Sequence, residues 1–354
     1  MSGCRGEVRS LSGANVATKA RIAAISYFLP EHQLTNGALA AEFPEWTVEK
    51  IASKTGIRSR GIAGDEEFSS HLATKAAEKL LLEHGIDRYT IDYIVLCTQS
   101  PDFYMPATAC IVQGNLGLST RVGASDISLG CSGYIYALGL AKGLIESGQV
   151  KTVLVLTADT YSKFINDKDK SVRTIFGDGA SATLVTESAP TEELFAFSYG
   201  TDGSGAKNLI VPGGGLRAAD SVAAKALPTS RELVSNGFDL YMDGPEIFNF
   251  TLRVVPSSVQ KVLEKASMTL EDVDLFVFHQ ANQYMLEHLR KKLGVDEARF
   301  YVSLENSGNT VSSTIPIALT EAKKAGVLKP GMTVMLLGFG VGYSWGGMLV
   351  RWSE

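Results

Sequence analysis

At 354 residues, 45% hydrophobic and 20% charged, the chain has the size and composition of one large globular unit or two closely packed halves, which excludes a fibrous or disordered protein. A formal charge of −5 argues against nucleic acid as the main partner, and no apolar run approaches the ~20 residues that span a bilayer, so no membrane crossing is expected. The four cysteines, Cys4, Cys97, Cys110 and Cys131, show no CxxC or metal-ligand spacing, which points to reduced thiols, a cytoplasmic setting and no metal site.

Residues 1–18 carry basic side chains with no apolar stretch after them, unlike a secretion signal, and read as a mobile N-terminal extension. The run 93–96 is almost continuously apolar, as a strand covered on both faces should be. Cys97 in that strand and Cys110 in a helix-like stretch read as small core residues. Cys131 differs. It lies in Asp126-Ile-Ser-Leu-Gly-Cys-Ser-Gly133, a strand passing through a glycine-flanked turn into a helix. Such a seat puts a thiol near unpaired backbone N–H groups and the positive end of a helix dipole, and is expected to lower its pKa. The helix follows from Tyr134, Ala137, Leu138, Ala141, Leu144 and Ile145, which step by threes and fours along one stripe.

A second strand is expected at 152–156, and a polar excursion at 218–235. A third strand, 275–278, ends at His279, where an α/β sheet presents side chains to a ligand. The other histidines, His32, His71, His84 and His288, fall in polar surroundings suited to solvated roles. Asn306-Ser-Gly-Asn-Thr310 precedes another helix, for which Asn309 could serve simply as N-cap. A strand at 333–337 leads into Gly338-Phe-Gly-Val-Gly342, read as a turn before a last strand at 344–350. No helix follows it, so it is no dinucleotide or phosphate loop, but its N–H groups suit an oxyanion.

The chain repeats itself. The segment at 91–98 recurs at 273–280, displaced by 182 residues, and the strand at 152–156 recurs at 333–337, displaced by 181. Ala137-Leu138 and Ala141-Lys142 recur as Ala318-Leu319 and Ala322-Lys323, again by 181. A duplicated fold places Cys131 opposite Ser312, with both at the start of repeat-related helices that face one another near the centre. The nucleophile and its auxiliary groups would then come from different halves.

Taken together, Thr55-Gly-Ile-Arg58, Gly130-Cys131-Ser-Gly133, Phe176-Gly-Asp-Gly-Ala180, His279-Gln-Ala-Asn282, Gly308-Asn-Thr310 and the glycine-rich segment before Trp345-Gly346 resemble the β-ketoacyl-acyl-carrier-protein synthase III family of thiolase-like condensing enzymes, from about Arg21 to Trp352. The resemblance implies an α/β, thiolase-like five-layer αβαβα fold with two duplicated halves, 19–190 with the nucleophile and 191–354 with the histidine and asparagine. It implies a homodimer whose substrates are acyl-coenzyme A and malonyl-acyl carrier protein, with coenzyme A present only as substrate thioester and no cofactor. Cys131 would carry the acyl group, His279 and Asn309 would assist decarboxylation, and the N–H groups of Cys131 and Val341 would form the oxyanion hole. Asn282, Phe248, Phe339 and Met105 are implied pocket residues. Lys50, Lys54 and Lys170 stand where relatives place coenzyme-contacting tryptophan or arginine, and Arg290, Lys291 and Lys292 form a basic patch for the carrier protein. A specialised acyltransferase with another acceptor, and a non-catalytic partner subunit, are the competing readings. Retention of Cys131, His279 and Asn309 speaks against the latter.

Overall fold

The structure, a computed structural model, describes residues 18–188, 191–216 and 237–354. Nearly all of the N-terminal extension, Cys4 and the polar stretch 218–235 therefore lie outside the described residues. The first sheet contains β1 (Lys19–Phe28), β4 (Tyr93–Cys97), β5 (Gly123–Ile127), β6 (Thr152–Asp159) and β7 (Gly179–Ser188) in the order β1-β7-β6-β4-β5. Two short strands, β2 (Gln33–Thr35) and β3 (Ser59–Gly61), pair beside it. The second sheet runs β11-β12-β13-β8 through Leu275–Phe278, Thr333–Gly340, Ser344–Arg351 and Leu194–Thr201, with β9 (Leu209–Ile210) and β10 (Tyr241–Met242) forming a small pair apart. In the first sheet β4 is parallel to β5 and β6, and β7 is antiparallel to β6 and β1. The second sheet matches this. β11 is parallel to β12, β13 is antiparallel to β12 and β8, and a lone parallel bridge between Phe276 and Phe300 stands where β5 stands in the first.

Period-two alternation divides each strand between two cores. Ile94 and Leu96 of β4 pack outward with Leu72, Ala76 and Leu80 of α3 (Ser69–Glu83), where α4 (Thr108–Asn115) also lies; α1 (Asn36–Glu42) and α2 (Val48–Thr55) precede α3 in the chain. Val95 points inward to α5 (Gly133–Glu146), joined there by Ile315 and Leu319 of α9 (Thr314–Lys324) and by Val277 and Leu336 of the second sheet. Phe276 and Phe278 turn outward beneath Val255 and Val262 of α7 (Gly244–Ala266) and Leu286 of α8 (Gln283–Leu293), after the single helical turn α6 (Lys170–Arg173). The layers are helix, sheet, helix, sheet, helix. The central helices belong to both sheets at once, which is why α5 is apolar well beyond a narrow stripe.

The outer helices have their stop signals in the sequence. Asp243 caps α7 by accepting from the Glu246 N–H, and Asn282 caps α8 by accepting from the Met285 N–H at 2.8 Å. Gly56 and Gly294 end α2 and α8 in the left-handed region.

Two expectations are corrected. Cys110 is exposed on the outer face of α4 rather than buried, while Cys97 is buried as expected. The segment 338–340 is strand, not turn: β12 continues to Gly340, and the reversal occurs at 341–343. The reason is steric. A Cβ at Gly338 would lie 2.5 Å from the Cys131 carbonyl oxygen, and one at Gly340 would lie 2.9 Å from the Cys131 sulfur. Glycine lets β12 run directly beneath the nucleophile turn.

A similar approach occurs at Gly133, where a Cβ would lie 2.1 Å from the Cys97 sulfur. Gly133→Ala should therefore cost about 1–3 kcal/mol in chemical denaturation, and much less in a Cys97→Ala background. Equal penalties in both backgrounds would contradict this packing.

Candidate active site

Cys131, His279 and Asn309 line one cavity of about 120 Å³, together with Phe176, Ile247, Asn282, Met285, Phe339 and Gly340. Cys131 precedes α5 in the first half, His279 follows β11, and Asn309 lies in the loop before α9. All three are buried. The chamber is predominantly apolar, so its few polar groups are set by bonds to the scaffold.

His279 is held at both ends. Its backbone N–H donates to Leu337 at 2.8 Å, continuing the parallel pairing of β11 with β12. Nδ1 lies 2.7 Å from the Thr314 hydroxyl, which is also 3.1 Å from the Val311 carbonyl, and the ring meets Phe339 edge-on at 5.5 Å. The scaffold thus occupies Nδ1, leaving Nε2 as the other ring nitrogen. Asn309 is placed by the first half: its N–H donates to Ile175 at 2.9 Å, and its carbonyl accepts from Gly177 at 3.1 Å. Its Oδ1 accepts from the Val311 N–H at 3.0 Å. The capping reading is not met: Thr310 and Ser313 stand at the N-caps of the short 3-10 turn Val311–Ser313 and of α9, and Asn309 lies before both. With Oδ1 engaged, Nδ2 is the donor left over.

Phe176-Gly-Asp-Gly-Ala180 has a positioning role that sequence reasoning did not assign. Phe176 and Asn309 form a parallel bridge, while the Asp178 carboxylate accepts from Ala63 N–H at 2.8 Å and Ser162 N–H at 2.9 Å. A Cβ at Gly177 would lie 2.5 Å from the Ser307 carbonyl oxygen, so glycine permits the contact between halves. Further polar contacts join the halves: Ser132 to Ser344 at 2.6 Å, Thr157 to Ser313 at 2.7 Å, and Ser312, the repeat counterpart of Cys131, to the Asp159 carboxylate at 2.7 Å.

The thiol does not follow the expectation of a lowered pKa. Burial pushes Cys131 up to about 12, and the Asp159 carboxylate adds to the rise; N–H groups of Cys131 and Val341 oppose it without prevailing. Loss of water in so enclosed a chamber outweighs the helix dipole and the backbone donors. Burial likewise lowers His279 to about 3, partly offset by the Val311 carbonyl, so the imidazole is neutral at pH 7. Burial raises Asp159 to about 7 against the bonds it accepts from Ser312 and Gln99. A raised carboxylate pKa stabilises the fold at low pH, and that contribution is lost as pH rises through about 7.

The remaining sequence candidates divide. Asn282 and Phe339 line the chamber, but Phe248 does not: Ile247 faces the cavity, one position away on α7, while Phe248 packs on Tyr284 and His288 with ring centroids 5.7 and 5.5 Å apart. Met105 is 82% exposed and touches no wall of this chamber. An outer groove of about 450 Å³ shares Ile175, Met242, Gly244 and Asn282 with the chamber and continues to Trp46, Lys54 and Tyr284. Trp46 is a groove residue that none of the sequence motifs includes. Lys50 and Lys54 lie over its ring at 5.5 and 5.2 Å, and its signal was an aromatic residue just ahead of α2, at 46 in Glu45-Trp-Thr-Val48. Lys170 is paired with Glu45. In the basic patch, Arg290 and Lys291 both pair with Glu287, at 2.7 and 3.1 Å, and Lys292 donates to the Leu252 carbonyl. Among the described residues no group of His, Cys, Asp and Glu could hold a metal ion, and no helix is long and apolar enough to cross a membrane.

These electrostatics predict the thiol's reactivity. Alkylation of Cys131 by iodoacetamide should rise about tenfold per pH unit from 6 to 9, since a thiol near 12 remains far from half-ionised there. Asp159→Asn removes the opposing carboxylate and should speed alkylation at pH 8. A plateau near neutrality would contradict the neutral-thiol assignment.

Known proteins resemble the chain along most of its length. Family models described as 3-oxoacyl-[acyl-carrier-protein] synthase III and its C-terminal region match residues 125–203 and 263–352. The chain is 38% identical over 328 residues to a β-ketoacyl-[acyl-carrier-protein] synthase III of Caldanaerobacter subterraneus, covering 92% of this chain and 96% of that one. A crystal structure of a 3-oxoacyl-(acyl-carrier-protein) synthase III superposes with a TM-score of 0.89 at 48% identity, covering 94% of this chain and 100% of that one. A crystal structure of a 3-oxoacyl-(acyl-carrier protein) synthase from Burkholderia xenovorans gives 0.88 at 37%, covering 95% of this chain and 94% of that one. The chain belongs to the β-ketoacyl-[acyl-carrier-protein] synthase III family, and is a condensing acyltransferase of the thiolase-like fold.

Proposed function

We propose that the chain takes an acyl group from acyl-coenzyme A onto Cys131 and condenses it with malonyl-acyl carrier protein, releasing carbon dioxide and 3-oxoacyl-acyl carrier protein. The observation that carries the reading is the shared chamber of Cys131, His279 and Asn309, contributed by two halves. In the first step the Cys131 sulfur attacks the thioester carbonyl. The bond to coenzyme A breaks, and the thiol proton leaves with the coenzyme A thiol. Negative charge on the carbonyl oxygen meets the N–H groups of Cys131 and Val341, which favour the thiolate in the free enzyme.

In the second step malonyl-acyl carrier protein enters by the outer groove. Nε2–H of His279 and Nδ2 of Asn309 donate to its thioester oxygen as the carboxylate departs, so the electron pair left on carbon is held as an enolate. For Nε2 to carry the proton, Thr314 must donate to Nδ1 across the 2.7 Å contact and give up its donation to the Val311 carbonyl. The carbanion attacks the acyl-cysteine, the carbon–sulfur bond breaks, and the Cys131 thiolate regains a proton from solvent. Neutral His279 suits a donor that never needs to ionise. The scheme needs no resident cofactor, since coenzyme A enters and leaves as part of the substrate.

We propose halves at 19–190 and 191–354, after the extension at 1–18. We assign Lys50 and Lys54, beside Trp46, to the coenzyme end of the groove, with Lys170 nearby. Lys292 and the outer faces of Arg290 and Lys291 would meet the carrier protein. The exposed run Phe103-Tyr104-Met105 fits a homodimer contact, because large apolar side chains so exposed call for a partner. A cytoplasmic location follows from the substrates.

Intact-protein mass spectrometry after incubation with acyl-coenzyme A should show one acyl group, lost in Cys131→Ala. His279→Ala and Asn309→Ala should each lower carbon dioxide release from malonyl-acyl carrier protein by about 100-fold or more, while acyl loading falls less than tenfold. Equal losses in both steps would overturn the division of roles.

A further inference from the structure

Behind Val341 lies a second cavity, of about 290 Å³, which shares Leu209 with the catalytic chamber. Its walls are largely apolar, as an acyl pocket requires, with one polar pair among them. The Tyr161 hydroxyl donates to Gln99 Oε1 at 2.6 Å, and both residues line the cavity. Tyr161 is buried between Phe164 and Phe176, with ring centroids at 6.2 and 5.3 Å, and belongs to the same apolar cluster as Cys131.

The pair is fixed and close to the nucleophile. The Gln99 N–H donates to Asp159 at 2.8 Å, which pins the main chain. Its Oε1 lies 2.3 Å from where a Cβ on Gly130 would stand, so the carboxamide abuts the residue preceding Cys131. One side of that carboxamide is taken by Tyr161. The Nε2 side has no partner among the described residues, and Gln99 is half-buried at the cavity wall. A plain alkyl chain entering here would expel water from the amide and offer it nothing in exchange. An oxygen on the chain would replace the lost water. Sites built to hydrogen-bond a substrate group reject the analogue that lacks it more sharply than apolar walls reject a methylene.

We propose that Gln99 and Tyr161 select an acyl group bearing a hydroxyl or carbonyl oxygen within its first few carbons. The proposal rests on the acyl-cysteine reading above and names the donor class for that site. A hydroxyl suits either orientation of the carboxamide, since it both donates and accepts, whereas a carbonyl requires the Nε2 donor to face the cavity. Gln99 and Tyr161 are specificity-determining residues in this account, with no part in bond making.

Competition loading tests this on the full chain. Butyryl-coenzyme A is offered together with either 3-hydroxybutyryl- or acetoacetyl-coenzyme A, and the acyl adducts on Cys131 are resolved by mass. The wild type should load at least one oxygenated thioester about tenfold faster than butyryl, and Gln99→Leu and Tyr161→Phe should each move that ratio toward one. The ratio is internal, so an equal loss of both adducts through poor folding leaves it unchanged. A wild-type ratio at or below one for both pairs overturns the proposal, and so does a ratio that neither variant shifts. Failure of every thioester to load Cys131 overturns the condensing-enzyme reading itself, and this inference with it.

Discussion

The site depends on one constraint: two sheets must share a single central helical layer. Neither α5 nor α9 can bury its apolar surface against its own sheet alone, so each packs on strands of both. That packing brings the helix starts together, and Cys131 and Ser312, equivalent in the repeat, arrive near one centre. The equivalence is then broken. Cys131 keeps its sulfur toward the chamber, whereas the Ser312 hydroxyl turns to Asp159 and serves as a brace. Asn309 depends on the same geometry, since Ile175 and Gly177 of the other half hold its main chain.

Closeness and dryness come together. Packing tight enough to place three polar side chains in about 120 Å³ also removes the water that would stabilise their charges. Cys131 and His279 are accordingly both neutral at rest, displaced from their usual values in opposite directions by the same cause. Fixed backbone donors then matter most when charge appears during reaction, because they need no reorganisation to meet it. Asp159 works against the thiolate but braces the junction of the halves through Ser312. The contact that aligns the halves therefore costs some thiol reactivity.

Much of this was legible in the sequence because it depends on period and order. Strands buried on both faces read as apolar runs, and recurrence of those runs at offsets of 181 and 182 revealed the duplication before any contact was known. Cys131, His279 and Asn309 could be singled out because each stands at an element boundary, where glycine or a strand end marks the chain. Properties set by direction and surroundings were not legible. The helical turn of α7 carries Ile247 rather than Phe248 to the cavity, and Cys110 shares a helix with buried residues while facing outward. The pairing of Arg290 and Lys291 with the one carboxylate of Glu287 lowers a basic patch that counted as three charges in sequence to a net two. The thiol's raised pKa follows from enclosure, which no local motif encodes.

The most direct test of the account is the order of chemical events. Rapid mixing with acyl-coenzyme A alone, followed by quenching and titration of free coenzyme A, measures whether the first half-reaction stands by itself. The account predicts a burst of one equivalent of coenzyme A per chain, which then stops until malonyl-acyl carrier protein is added. Absence of any release before the second substrate arrives would contradict an acyl group carried on Cys131.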